Sequence, residues 1–576
     1  MRKNVFPAGA VLFVLGVLGL TAQTDALFQK ARLAPLSPEY LRYQEAVRTG
    51  RWPAFTDQGQ PSPIPSPIDV AYLQGFSPAP ATALPSTYDL RKLNKTTPVK
   101  NQSPLAGTSL FATFGSLESY LKPLESLDFS ENHLDQSSAG GGFLEANVGA
   151  LARWDDPVDE EDSPWSGSVN GEGGSVVKHV QNVLFISPRE NALDNAGIKQ
   201  AVMDYGAIYS EMYFASAAYN SPNRSFYNEG TAQNSHSVAI AGWDDNFDRA
   251  KFSPQPPGNG AFICKNSFGP GWAEAGYFYV SYYDAYLGRR ALSAAFTAEP
   301  AAGLTQNYQH DPNGCLARLG FGEETAWFAN IFTATSPDPL KAVSLYLYAA
   351  AGSYEILVYR DIVPGRPRSG TLAQRVSGTL SAPGYHTIAL SSPIPLAINQ
   401  RFSVAVKFRT PGDSFPIPIE HPLPGLKAVF TARPGESFIS PDGAIWSDLV
   451  TYDGSAYARS NVCLKAFAGY PVIYSPLNLR VERLVNNFAF FKEYVDRLNW
   501  LPNPLNADDS LPVVKYRIYR KPISAPDESF ELAGESGAQN LVFYVRNLKR
   551  DDRNTYRVTA VLENGRESDP AEISNL

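Results

Sequence analysis

Val99-Lys100-Asn101-Gln102-Ser103-Pro104-Leu105-Ala106-Gly107-Thr108-Ser109-Leu110-Phe111-Ala112-Thr113-Phe114-Gly115-Ser116-Leu117 is the stretch on which the reading of this chain turns. A lead-in rich in turn formers gives way near Thr108 to apolar residues at 111, 114, 117 and 121, the spacing of one helix face. A side chain in the first turn of such a helix lies beside unpaired N–H groups and the positive end of the helix dipole. That place suits a developing anion.

Two later stretches carry further chemistry. Ser235-His236-Ser237-Val238-Ala239-Ile240-Ala241-Gly242-Trp243-Asp244-Asp245 brings one histidine into an apolar strand. Ile263-Cys264-Lys265-Asn266-Ser267-Phe268-Gly269-Pro270-Gly271-Trp272 is a strand ending in an amide and a Gly-rich loop. Taken singly, a strand histidine reads as a core residue and a strand-end asparagine as turn chemistry. In this order the three stretches resemble the papain-like (C1) cysteine peptidases. There a glutamine, a cysteine at a helix N-terminus, a distant histidine and an Asn-Ser-Trp-Gly loop follow one another. Leu84-Pro85-Ser86-Thr87-Tyr88-Asp89-Leu90-Arg91, Asp128-Phe129-Ser130-Glu131-Asn132-His133-Leu134, Gly140-Gly141-Gly142 and Gly276-Tyr277-Phe278-Tyr279-Val280-Ser281-Tyr282 add to the likeness. The resemblance covers roughly residues 84 to 290 and implies an α+β peptidase fold. It also implies Gln102 as oxyanion-hole donor, His236 as general base and Asn266 as the group that orients the base.

A closer likeness is to a bacterial and archaeal branch in which a lectin-like β-domain follows the peptidase domain. Leu151-Ala152-Arg153-Trp154, Ala326-Trp327-Phe328-Ala329-Asn330 and Asn461-Val462-Cys463-Leu464-Lys465-Ala466-Phe467 extend the match to about residue 468. "Lectin-like" names the fold of that domain and does not establish sugar binding.

The chain departs from this pattern at its centre. Anchored on Gln102 and on Phe111-Ala112 without a gap, the family's nucleophilic cysteine falls on Thr108 and its upstream disulfide cysteine on Leu105. The bridge's partner region, Gln136-Ser137-Ser138, has no cysteine either. The Trp after the nucleophile is Ser109, and that of the Asn-Ser-Trp-Gly loop is Phe268. A thiol can be held as thiolate beside an imidazolium, whereas a threonine hydroxyl needs His236 to take its proton during attack. The expectation is therefore a secreted C1 peptidase homologue that binds peptide or protein segments, its own residues 27–84 among them, without normal peptidase activity. Its rivals are weak hydrolysis through Thr108 with His236 and Asn266, and an adhesion protein with a vestigial cleft. Cys264 reads as a buried inert thiol.

The rest of the chain frames this core. With 576 residues, at roughly 150 per domain, about four units are expected. The charge balance, 49 basic against 57 acidic residues, excludes a nucleic-acid binder driven by a basic surface. Met1-Arg2-Lys3, the apolar run 11–20 and small residues through Ala26 read as a signal peptide, 1–26, cleaved after Ala22 or Ala26. The alternative is an uncleaved anchor, for which the run is short. Residues 27–84, with Pro61, Pro63, Pro65 and Pro67 at alternate positions, read as a pro-segment or N-terminal arm.

The peptidase-like domain is placed at 85–300. A β-sandwich at 305–468 is expected from runs such as 342–348, 354–359 and 402–407 between Gly and Pro turns. At 470–576, Trp500, Val514–Arg520 and Tyr556 resemble a fibronectin type III module. The β-domains are candidates for binding surface glycans. Three cysteines far apart imply no disulfide framework. The acidic run 155–162 reads as a solvated loop without a calcium-site pattern. No zinc spacing appears, and neither metal nor cofactor is expected.

Overall fold

The computed structural model describes residues 30–51, 64–76, 83–103, 107–138, 142–165, 174–230, 235–300, 303–426, 428–469, 473–506, 512–563 and 565–575. The expected signal peptide and Leu105 lie outside them. Among the described residues no helix is long and apolar enough to cross a membrane. Packing divides the chain into two units, Met1–Gly469 and Tyr470–Leu576.

The described part of the first unit holds five α-helices, α1 (Pro38–Arg48), α2 (Thr108–Leu121), α3 (Glu131–Ser137), α4 (Leu144–Arg153) and α5 (Ala196–Tyr205). Helix α2 starts at Thr108, where the spacing places it, and every residue of it except Tyr120 is buried. A helix apolar on most sides belongs in a core, and Leu110, Phe114 and Leu117 are fully enclosed. Ser37 and Ser130 cap α1 and α3, each accepting the backbone N–H three residues on.

The apolar runs near 237–242, 261–265 and 276–282 form the strands Ser235–Asp244, Ala261–Lys265 and Tyr277–Ser281, adjacent and antiparallel. Helix α2 packs on the first of these and on Ile208–Tyr213 and Ser293–Pro300. The sheet does not end with the papain-like segment. Lys178–Ile186 pairs with Gly384–Ile394 of the following segment, at Leu184 with Gly384 and Val183 with Tyr385. From there the same sheet continues through Leu340–Leu347 and Lys465–Ala468. An edge that would stand open is thus covered. One apolar cluster runs from Phe114, Leu117 and Leu151 to Tyr346, Tyr385 and Cys463. The sequence places a boundary between 300 and 305, and strands from both sides of it belong to one sheet.

Residues 305–468 carry no α-helix among those described. A six-stranded antiparallel sheet containing Thr325–Thr333, Gly352–Arg360 and Arg401–Arg409 faces the continuous sheet, with Phe328, Val404, Val343 and Leu345 between them. This is sandwich packing. The N-terminal arm is tied to this region: Arg32–Leu33 pairs with Ala317–Gly320, and the Tyr40 and Tyr43 hydroxyls donate to the carbonyls of Pro424 and Gly425 at 2.9 and 2.7 Å. Ile68, Val70 and Leu73 reach the cluster beneath α2.

The acidic run is the expected solvated loop only in part: Asp155, Glu161 and Asp162 are exposed, and Asp156 and Glu160 are not. Asp156 is fully buried, taking His133 at 2.9 Å and the Ser137 hydroxyl, and Glu160 accepts the Trp165 backbone N–H at 2.8 Å. Alternation of carboxylates with Pro157 and Val158 gave no sign that these hydroxyl, imidazole and amide partners would converge on it.

The second unit is a two-sheet sandwich. Leu477–Asn487, Lys492–Leu501 and Val542–Leu548 form one sheet; Glu531–Gly537, Val513–Pro522, Asn554–Leu562 and Ala571–Ser574 form the other. Leu498, Trp500, Tyr516, Ile518, Tyr556 and Val558 fill its core.

Candidate active site

The segment before α2 is held from two sides. Lys100 donates to the Phe129 carbonyl at 2.6 Å and to Glu131 at 2.9 Å. The Lys100 carbonyl accepts the Gly269 N–H at 3.0 Å, and the Gln102 N–H donates to the Ser267 carbonyl at 2.9 Å. The loop after the strand Ala261–Lys265 therefore lies along the lead-in to α2. Gln102 is 1% exposed; its side-chain oxygen accepts the Ser267 hydroxyl, which turns the amide Nε2 onto the opposite branch.

His236 enters from Ser235–Asp244, the strand beside Ala261–Lys265. Its Nε2 lies 2.8 Å from Asn266 Oδ1, which also accepts the Ser267 backbone N–H at 2.8 Å. An oxygen that accepts a backbone N–H is fixed as the carbonyl end of the amide, so His236 must donate through Nε2. In the neutral ring Nδ1 is then the basic nitrogen. Phe214 and Phe268 flank the imidazole at ring-centroid distances of 5.5 and 5.1 Å, and Trp272 stands edge-on to Phe268. Asn266 Nδ2 is buried without a hydrogen-bond partner.

Thr108 stands at the first position of α2, and its Oγ1 accepts the backbone N–H of Ser237 at 3.1 Å. The hydroxyl is thus fastened beside His236. The structure brings together all four predicted site residues, Gln102, Thr108, His236 and Asn266, each no more than 6% exposed. Ser109 points elsewhere: its hydroxyl accepts from Asn147 Nδ2 at 2.7 Å and lies 3.5 Å from the Tyr209 hydroxyl. Cys264 is fully buried in an apolar cluster, and burial pushes its thiol well above the usual range.

Three contributors escape a reading of the sequence. Ser237 supplies the N–H to Thr108. Ser267 orients Gln102. Trp165 donates its indole N–H to the Gln102 carbonyl at 3.0 Å and packs edge-on to Phe111 at 5.1 Å. Ser237 and Ser267 are neighbours of residues already singled out; Trp165 follows an acidic run and carries no motif.

Chemically, the arrangement offers a general base with its proton-bearing nitrogen anchored, a carboxamide donor, and a hydroxyl at a helix N-terminus. No thiol stands at this centre: the three cysteines are buried and free.

The family described as papain family cysteine protease matches residues 84–290, and the lectin like domain family matches 307–468. A crystal structure of the cysteine protease and lectin-like domains of Cwp84, a surface layer associated protein of Clostridium difficile, is 25% identical. It covers 77% of this chain and 99% of its own with a TM-score of 0.64. The same protease after propeptide cleavage, 24% identical with a TM-score of 0.57 over 67% of this chain and 100% of its own, shares the fold. Cysteine protease Amb a 11.0101 of Ambrosia artemisiifolia is 26% identical over 231 residues, 38% of this chain and 55% of that protein. Cysteine proteinase 1 of Entamoeba histolytica is 28% identical over 210 residues, 34% of this chain and 62% of that protein. The chain spans somewhat more than half the length of these two curated relatives. Fold, site geometry and matched families agree: the chain carries a papain-family C1 peptidase domain followed by a lectin-like domain.

Proposed function

We propose that the protein is an exported C1 peptidase homologue whose cleft binds peptide segments without normal peptidase activity. The observation that supports this is Thr108 at the first position of α2, beside the His236–Asn266 pair. A cysteine there, with an unperturbed pKa of about 8.5, is readily held as thiolate. A threonine hydroxyl is not, and its β-methyl restricts χ1 and crowds the line of attack. On this reading Gln102, His236 and Asn266 shape a binding groove, and the arm 27–84 is a pro-segment able to occupy it.

Weak hydrolysis is the second reading, favoured by the intact His–Asn pair: Thr108 would attack while His236 takes its proton. Secretion or attachment at the cell surface fits the signal-like N-terminus and the surface-layer association of Cwp84. The C-terminal sandwich is read as a fibronectin type III-like module, and the β-domains as attachment modules for partners or surface glycans.

Hydrolysis of a broad peptide library by the purified protein, beside its Thr108→Cys variant, tests the proposal. Cleavage by the variant alone supports a binding role. Cleavage by the natural protein that His236→Ala abolishes overturns it in favour of Thr108 as nucleophile.

A further inference from the structure

The first hairpin of the C-terminal sandwich turns through Asn487-Phe488-Ala489-Phe490-Phe491-Lys492, between the strands Leu477–Asn487 and Lys492–Leu501, which pair as far as Asn487 with Lys492. The turn is closed by its own backbone: the Phe488 N–H donates to the Phe491 carbonyl at 2.9 Å. The Phe488 and Phe491 rings stack with centroids 4.7 Å apart, yet these residues are 52% and 62% exposed, and Phe490 is 99% exposed. Trp500, Tyr516 and Tyr556 fill the core of this unit, and none of the three tip phenylalanines belongs to it. An apolar cluster left in water marks a surface that something else covers.

The surroundings of the tip say what that is. Tyr494 pairs with Leu548 and Pro522 with Asn554, so the loops that follow Leu548 and Pro522 lie at the same end of the sandwich as the tip. The chain enters at the opposite end, where Leu477 pairs with Leu501, about 30 Å of strand away. Ile523, 38% exposed, adds apolar surface at the tip end. The salt bridges here are Glu493 with Arg546 at 3.4 Å and Asp527 with Lys521 and Arg557, each at 2.7 Å; Lys492, Lys549, Arg550 and Arg553 are exposed and take no part in them. Beside these four cations stand Asp551 and Asp552, the latter accepting the Lys549 backbone N–H at 2.8 Å. Glu528 lies on the turn that Asp527 draws back to Arg557. No wall surrounds Phe490, so the tip selects no particular partner shape. A bilayer interface takes apolar side chains of any shape, and its phosphate head groups match unpaired Lys and Arg.

We propose that the tip 488–491 inserts into the interface of an anionic phospholipid bilayer, with Lys492, Lys549, Arg550 and Arg553 on the head groups. The proposal goes beyond the peptide-binding reading and makes no use of the cleft. It gives the chain a membrane-binding end on its C-terminal unit.

Flotation of the full chain with phosphatidylcholine vesicles, with and without one quarter phosphatidylglycerol, tests it. The expected result is binding to the anionic vesicles at least tenfold tighter than to phosphatidylcholine alone. Phe490→Ser should weaken that binding at least tenfold, and Lys549→Glu with Arg550→Glu should remove the preference for anionic lipid. Phe490→Ser alters an exposed side chain and keeps the N-terminal apolar run 11–20, so its difference from the wild type reports the tip alone. A second readout is a polarity-sensitive dye on Phe490→Cys; the three native cysteines are buried, which directs the dye to position 490. Its emission should move to the blue on anionic vesicles. Equal binding by the wild type and Phe490→Ser, or an unmoved dye, overturns the proposal. Dimerisation that depends on Phe490, without vesicle binding, overturns it in favour of a second copy of the chain.

Discussion

Asn266 Oδ1 sits 2.8 Å from His236 Nε2 and at the same distance from the Ser267 backbone N–H. One oxygen thereby fixes both the orientation of the imidazole and the nitrogen that bears its proton.

If that arrangement is catalytically competent, the Thr108→Cys variant should hydrolyse peptides, and Asn266→Ala in that background should lower kcat by roughly 10- to 100-fold. His236→Ala should lower it by about 10²–10⁴-fold, the range for a general base. Steady-state kinetics of the three variants check this. Unchanged kcat in the Asn266→Ala double variant contradicts the orienting role.

Stability should depend on pH through Glu145 and Glu211. Their folded values, about 7, lie above the ordinary carboxyl value, so across that interval the folded state holds more protons than the unfolded chain. Stability from these groups is present below about pH 4.5 and lost as pH rises through 7. His179, His386 and His421, lowered by burial to about 4, act oppositely and add stability as pH rises from 4 to 6.5. Glu420, also pushed up to about 7 by burial, contributes in the same sense, so urea denaturation across pH should show that Glu145→Gln with Glu211→Gln lessens the decline toward pH 7 without abolishing it and spares the acid-side rise. An unchanged slope above pH 5 argues against both carboxyls.

The continuous sheet depends on a close approach at Gly384, where an added Cβ would meet the Val183 carbonyl oxygen at 2.3 Å. Gly384→Ala should cost about 1–3 kcal/mol, as forced overpacking does. Calorimetry should show a lower Tm and loss of a single joint transition for the peptidase and lectin-like regions. A variant that melts like the wild type would falsify the claim that this junction couples them.

Lys465 and Asp311 are fully buried together, with Nζ 2.9 Å from the carboxylate and 2.7 Å from Gln309. Lys465→Met leaves the carboxylate uncompensated and should cost about 3–5 kcal/mol. Adding Asp311→Asn should recover most of that loss. Chemical denaturation of the single and double variants decides it, and equal losses in both would mean that the pair is not the source of the effect.

Helix α2, the three strands around His236 and the β-rich second half were legible in the sequence because each rests on local periodicity. An apolar residue every three or four positions buries one helix face, and unbroken apolar runs fill strands covered on both sides. The order Gln102, Thr108, His236, Asn266 was legible because each sits in a short motif. Trp165 was not: its indole reaches Gln102 across 63 residues of sequence. Nor was the pairing of Val183 with Tyr385, since two strand edges 202 positions apart carry no mark that they will meet.

By itself, the sequence determined which segments become helix and strand, and that a hydroxyl rather than a thiol begins α2. Only the tertiary structure decided that Thr108 is fastened to Ser237, that the papain-like and lectin-like segments share one sheet, and that Lys465 and Asp311 are buried together. The physical reason is range. Propensity and periodicity act over a few residues, whereas a strand edge or a buried carboxylate takes its partner from whatever the packing of distant segments brings within a few ångströms.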